Sequence, residues 1–193
     1  MTSKTFTRIW ISLKKQSRPW KTNKRRMLVL GIDPGIAITG YGLIQTGNRI
    51  DYQCIDYGVI KTASGIPDSD RLAILYKSLK SLLQQYEVQS SAVEKLFFQK
   101  NVRTAFSVGQ ARGVTLLALA QSQVPISEYT PNEIKQAVCG YGSAGKSQVQ
   151  RMVQTLLNLE ELPKPDDAAD ALAVAICHIN HKSFENFVES AES

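Results

Sequence analysis

Four acidic residues stand where a carboxylate can do chemistry. Asp33 ends the apolar run MLVLGID, and Glu94 lies near the end of a second such run, SAVEKLFF. Asp167 and Asp170 are three residues apart in a stretch of helical composition, so they share one helix face. Together these acids predict a site for a hard cation such as Mg²⁺, which prefers oxygen ligands and leaves room for phosphate oxygens. Two such ions about 3.5–4 Å apart would support phosphodiester hydrolysis by activating water and stabilising the leaving oxygen.

Each acid also has a simpler structural interpretation. Asp33 precedes a Pro-Gly pair and could belong to a turn, and Glu94 could form a salt bridge at a sheet edge. Asp166 or Asp167 could cap a helix, because a carboxylate there stabilises the free N–H groups. Asp170 is harder to explain in this way, since it lies past the cap in a helix of Ala, Leu and Val. Spacing alone leaves these alternatives open.

The apolar spacing predicts the elements that must position these acids. Three strands form an antiparallel meander, and the remaining order is helix, strand, helix, strand and three helices. This order favours an α/β fold, with a mixed five-stranded sheet flanked by helices on both faces. The expected strands are 27–33, 36–45, 51–61, 90–96 and 125–129, and the expected helices are 68–86, 102–121, 131–138, 147–158 and 166–179.

Length and composition are those of one folded domain. The chain has 193 residues, of which 43% are hydrophobic and 21% are charged, so it can bury an ordinary core. No run approaches the roughly 20 apolar residues of a membrane span. The three cysteines are widely spaced without a CxxC pair, which argues against a disulfide framework or a thiolate zinc site. We therefore expect a soluble protein of a reducing compartment that does not bind a membrane.

The basic character of the chain belongs to its first 26 residues. The net charge is +6, yet residues 1–26 hold nine of the 23 Lys and Arg residues and none of the 17 acids. The remainder is therefore slightly acidic. Such an extension could be disordered and inert, could lie upstream of a true start at Met27, could bind DNA or could act as a targeting peptide. We expect a disordered extension at 1–26, a folded domain at 27–182 and an acidic, frayed tail at 183–193.

Five segments resemble, in the same order, those of the RuvC-type Holliday junction resolvases: GIDPGIAITGYG, AVEKLFFQKN, GQARGV, GSAGKSQVQRMV and PDDAADALAVA. The resemblance implies a ribonuclease H-like fold and a homodimer that resolves four-way DNA junctions during recombination and repair. It implies symmetric nicking with two Mg²⁺ ions per subunit, for which Mn²⁺ can substitute. It also implies the bacterial cytoplasm and the RuvAB branch-migration complex as a partner. The family's acidic quartet falls on Asp33, Glu94, Asp167 and Asp170, which leaves Asp166 as a cap.

The same resemblance assigns contacts with DNA. It places a junction-contacting aromatic on Phe97, which could stack on an unpaired base, although Phe97 could instead be the core member of the Phe97–Phe98 pair. It places basic residues near the cleaved strand on Lys135 and Lys146, where solvated helix lysines are the alternative. Lys100 and Arg103 flank the loop after Glu94 and are weaker candidates for phosphate contact.

Parts of the sequence also fit three other functions. The segment from Gly140 to Ser147 matches the P-loop pattern GxxxxGK[ST], but a helix is predicted before it where a P-loop needs a strand. The family more usually has an acid where this chain has Gly145. The opening IDPG and TGYG segments also resemble actin-like kinases and ATPases, yet no second phosphate loop is visible. A catalytically inactive junction-binding module is disfavoured because all four acids are present.

Overall fold

The computed structural model describes the backbone of residues 27–46, 52–95 and 102–191. The strands are β1 (Leu28–Asp33), β2 (Ile38–Thr46), β3 (Tyr52–Lys61), β4 (Ser90–Glu94) and β5 (Ile126–Tyr129). The helices are α1 (Asp68–Gln85), α2 (Val102–Gln121), α3 (Pro131–Cys139), α4 (Lys146–Leu156) and α5 (Asp166–Ala191). The predicted element order is confirmed, and none of the described helices is both long and apolar enough to cross a membrane.

The five strands form one mixed sheet in the order β3-β2-β1-β4-β5. β1, β2 and β3 are antiparallel neighbours, as the predicted meander requires, whereas β4 runs parallel to both β1 and β5. Ile32 of β1 pairs with Val93 of β4, so the next residues, Asp33 and Glu94, end adjacent parallel strands. The sheet therefore brings two of the predicted acids to one edge.

Helices cover both faces of the sheet, as predicted. One core packs α1 and α2 against the face that carries Leu30 and Ile32, and the other packs α3, α4 and α5 against the face that carries Val29. Side chains alternate between the faces of a strand, so Val29, Gly31 and Asp33 all lie on the α5 side of β1. Asp33 thus belongs to the layer that contains the other two predicted acids.

Glycines allow α5 to lie directly on the strands. A Cβ atom built on Gly31 would lie 2.1 Å from the carbonyl oxygen of Ala171, and one on Gly40 would lie 1.9 Å from that of Asp167. Gly40 is also the residue that pairs with Asp33 across β1 and β2. The absence of side chains here sets the first turn of α5 against the end of β1.

The last helix differs from the prediction. It was expected to end at Ile179 with a frayed tail at 183–193, whereas α5 continues to Ala191. No Gly or Pro follows Pro165, so the sequence contains no strong signal to end the helix. An ion pair between Lys182 and Glu185, 2.8 Å apart and one turn from each other, further supports the extension.

Candidate active site

Asp33 and Glu94 form the strand part of the site. Burial and the negative charges of Glu94, Asp170 and Asp167 raise the pKa of Asp33 from 3.8 to about 8. Burial and the charge of Asp170 also raise the pKa of Glu94, although Asp33, Lys135 and Lys146 counteract this effect. The metal-free site therefore opposes the ionisation of both acids, mainly through burial and also through their negative neighbours.

Asp167 and Asp170 add the helix part of the site. Both lie in the first turns of α5, and Asp170 is partly buried. Burial raises the pKa of Asp170, while the hydrogen bond and charge of Lys146 oppose the shift. The charges of both residues contribute to the raised pKa of Asp33. The backbone of Asp167 also lies against Gly40, the residue that pairs with Asp33, so the start of α5 lies beside the end of β1.

Two lysines face the same region from α3 and α4. Glu94, Lys135, Lys146 and Asp170 line a cavity of about 260 Å³, whose walls are completed by Pro131, Ile134, Val149 and Ala173. The Lys146 ammonium lies 3.0 Å from Oδ2 of Asp170 and 3.5 Å from Oδ2 of Asp166. The cavity therefore contains both carboxylates and ammonium groups. The carboxylates could hold a cation that binds a phosphate, and the ammonium groups could contact the same phosphate directly.

The donor chemistry fits a hard divalent cation, because the acids are oxygen ligands whose mutual repulsion a cation would relieve. The carboxylates are farther apart here than the ligands of an occupied metal site would be. Among the described residues, no three His, Cys, Asp or Glu side chains converge closely enough to hold an ion between them. The acids thus surround a site without forming a finished ligand set in this arrangement.

The segment of the chain that contains these acids matches a known protein family. Residues 29–178 match the family model described as crossover junction endodeoxyribonuclease RuvC. The chain belongs to the RuvC family. This match contains all four acids and both lysines, and it spans the sheet and half of α5.

Individual RuvC proteins are similar to this chain over almost their whole length. The crossover junction endodeoxyribonuclease RuvC of Pelotomaculum thermopropionicum is 54% identical over 160 residues, covering 82% of this chain and 96% of that protein. That of Halothermothrix orenii is 58% identical over 155 residues, covering 80% of this chain and 93% of the relative. The resemblance found in the sequence is therefore confirmed at the level of the family.

A solved RuvC structure confirms the fold. Thermus thermophilus RuvC in complex with a Holliday junction substrate matches with a TM-score of 0.78 and 34% sequence identity. The match covers 82% of this chain and 96% of the other. The ribonuclease H-like sheet with helices on both faces, predicted from the sequence, is thus the RuvC fold.

The predicted DNA contacts divide into two groups. Phe97 and Lys100 lie outside the described residues, and Arg103 lies in the first turn of α2 with its side chain outside them as well. Lys135 and Lys146 are placed at the cavity. The structure also argues against a P-loop at Gly140, because the helix α3 precedes this residue where a P-loop requires a strand.

Two interactions were not predicted from the sequence. Asp166, expected to cap α5, is its first helical residue, and its carboxylate faces Lys146. His178 lies in the middle of α5 and is fully buried. Its Nε2 lies 2.6 Å from the Ser90 hydroxyl and its Nδ1 lies 2.9 Å from the Tyr129 hydroxyl. A polar residue in an otherwise apolar helix was the available signal, but its partners depend on the tertiary fold.

Proposed function

We propose that this chain resolves four-way DNA junctions by metal-dependent hydrolysis of phosphodiester bonds, with symmetric nicks in two strands. This activity serves homologous recombination and DNA repair. The observation that carries the proposal is that Asp33 and Glu94 end adjacent parallel strands of a RuvC-family fold, while Asp167 and Asp170 lie in the first turns of the helix packed on that sheet. Membership of a family named for crossover junction endodeoxyribonuclease activity supports the choice of substrate.

The four carboxylates would hold two Mg²⁺ ions per subunit, and Mn²⁺ can substitute. When bound, these ions would supply an activated water and stabilisation of the leaving oxygen. The raised pKa of Asp33 supports this role, because a buried acid that repels its neighbours gains most from a nearby cation. Asp33 and Glu94 sit on the ends of paired strands, which hold their carboxylates more rigidly than a loop would.

Lys135 and Lys146 would contact the phosphates of the cleaved strand. Both line the cavity beside Glu94 and Asp170, and both lie on helices that pack against α5. Their charges offset part of the repulsion that four acids exert on DNA. From the family resemblance, Phe97 would stack on a base at the junction, and Lys100 and Arg103 would contact phosphates nearby.

The protein would act as a homodimer, since a four-way junction presents two equivalent strands to a two-fold assembly. Phe106 and Leu117 of α2 are 70% and 50% exposed, and their spacing of three helical turns places them on one face. A Cβ atom on Gly113, between them, would meet no atom within 4 Å. This exposed apolar face supports α2 as the contact between subunits. The assembly would work in the bacterial cytoplasm with the RuvAB branch-migration complex.

The proposed activity is tested with four-way junctions labelled on each strand in turn. Mg²⁺ should produce paired nicks at symmetric positions in two opposite strands, and EDTA should abolish them. A linear duplex of the same sequence should remain uncut at the same protein concentration. Sedimentation at micromolar concentration checks the assembly, and a monomer that still made paired cuts would contradict the dimer.

A further inference from the structure

The Lys146 ammonium bridges two carboxylates whose surroundings differ. Asp170, 3.0 Å away, lines the cavity and has a side chain only 27% exposed, whereas Asp166, 3.5 Å away, is 62% exposed. The two acids are four residues apart on α5 and so lie on one face of the helix. Lys146 reaches both because it is the first residue of α4, directly after Gly145.

The contact between Lys146 and Asp170 affects how Asp170 could bind a cation. Asp170 is a proposed cation ligand, yet in this arrangement its oxygen points to an ammonium group. The positive charge of the Lys146 ammonium lies so close to Asp170 that it would oppose the binding of a divalent cation by this carboxylate. Asp166 has no role in the proposed ligand set and does not line the cavity. It can therefore keep the ammonium after Asp170 has changed partner.

We infer that Lys146 is a resident cation that neutralises Asp170 in the metal-free protein, and that Asp166 is the positioning residue that retains Lys146 when a divalent cation takes Asp170. The inference rests on the proposed cation site. Lysine suits this role because its ammonium is a point charge on a flexible stem, able to turn from one carboxylate to the other. Held by Asp166, the ammonium stays at the cavity, where it can meet a phosphate.

The two residues should then have opposite effects on cation binding. Lys146→Gln removes the competing charge, so the protein should bind the cation more tightly. Asp166→Asn leaves the displaced ammonium without a partner, so binding should weaken. Because exposed ion pairs are weak, we expect a change of roughly two- to fivefold in each direction.

The test is a double-mutant cycle of Mn²⁺ binding by isothermal titration calorimetry, with the full chain and no DNA. Wild type, Lys146→Gln, Asp166→Asn and the double variant are titrated at low ionic strength. If Asp166 acts through Lys146, Asp166→Asn should weaken binding in the wild-type background and have a smaller effect once Lys146 is replaced. Lys182→Gln is the matched control, since it removes the same charge from the exposed Lys182–Glu185 pair and should leave binding unchanged.

Three outcomes would overturn the inference. Equal weakening by Asp166→Asn in both backgrounds would mean that Asp166 acts by its charge alone. Weaker binding by Lys146→Gln would mean that Lys146 supports the cation and does not compete with it. No Mn²⁺ binding by the wild-type protein would refute the proposed cation site itself, and that failure is distinct from an additive cycle in a protein that binds.

Discussion

Gly40 lies against the backbone of Asp167, so close that a methyl group on Gly40 would lie 1.9 Å from the Asp167 carbonyl oxygen. Gly40 is the pairing partner of Asp33 in the sheet. The contact therefore fixes the distance between a strand acid and the start of the helix that carries two further acids. A small residue with no reactive group thus controls the geometry of the candidate active site.

Gly40→Ala should damage both stability and cleavage. The first turn of α5 would have to move away from β2, and overpacking of this kind costs about 3 kcal/mol at the upper end of its usual range. Displacement of a catalytic group by about 1 Å lowers rates on the order of 100-fold. Urea denaturation and junction cleavage measure the two effects. Gly142→Ala is the control, since its added carbon would meet Asn132 at an ordinary 3.5 Å, and equal behaviour of the two variants would contradict the account.

The metal-free protein should lose stability as pH rises. The pKa of Asp33 is raised from 3.8 to about 8, mainly by burial, so the folded state retains a proton that the unfolded chain releases. The stability linked to this proton is complete below about pH 4 and is lost as pH rises through about 8. In EDTA, the Tm of Asp33→Asn should therefore exceed that of wild type by an amount that grows over this range and then levels off. A constant difference in Tm would show that Asp33 titrates normally.

His178 should make the opposite contribution at acid pH. Burial lowers its pKa from 6.5 to about 4, so the unfolded chain gains a proton before the folded one does. The associated stability is complete above pH 6.5 and is lost as pH falls through about 4. His178→Phe should remove this acid-side loss, and it should cost about 1–3 kcal/mol at neutral pH for each hydroxyl it leaves unpaired, at Ser90 and Tyr129.

Urea denaturation at several pH values checks the prediction for His178. His181→Phe is the matched control, because His181 lies on the same helix and is only partly buried. The control should keep the acid-side loss of the wild type. If His178→Phe also keeps that loss, another group is responsible for it.

Deletion of residues 1–26 should leave metal-dependent nicking intact, because the proposed site and every described strand lie beyond them. If the nine cations of this segment touch DNA, the truncated protein should bind duplex DNA more weakly and with a shallower salt dependence. Each phosphate neutralised contributes about −0.9 to the slope of log affinity against log salt concentration. Equal slopes would mean that the segment does not contact DNA. Loss of cleavage at low salt and saturating protein would place the segment within the fold.

Most of the fold and the strand part of the site could be predicted from the sequence. Apolar runs ending in Asp33 and Glu94 identify two central strands, and the resemblance to the family assigns a role to their acids. The pairing of Lys146 with Asp166 could not be foreseen, because it depends on how the start of α4 lies against the start of α5. The partners of His178 were missed for a related reason: they lie on β4 and β5, far away in sequence.

The central claim is that four carboxylates make this RuvC-family chain a nuclease, and the most direct measurement is cleavage of a labelled four-way junction by single variants. Asp33→Asn, Glu94→Gln, Asp167→Asn and Asp170→Asn should each abolish nicking, since each removes a proposed ligand of the cations that activate water and stabilise the leaving oxygen. Junction binding should persist, because each change also removes a negative charge that repels phosphates. Asp70→Asn, which removes an exposed acid from the first turn of α1, is the matched control and should cut normally. Near-wild-type cleavage by any of the four variants would contradict the role of that residue, and normal cleavage by all four would refute the account.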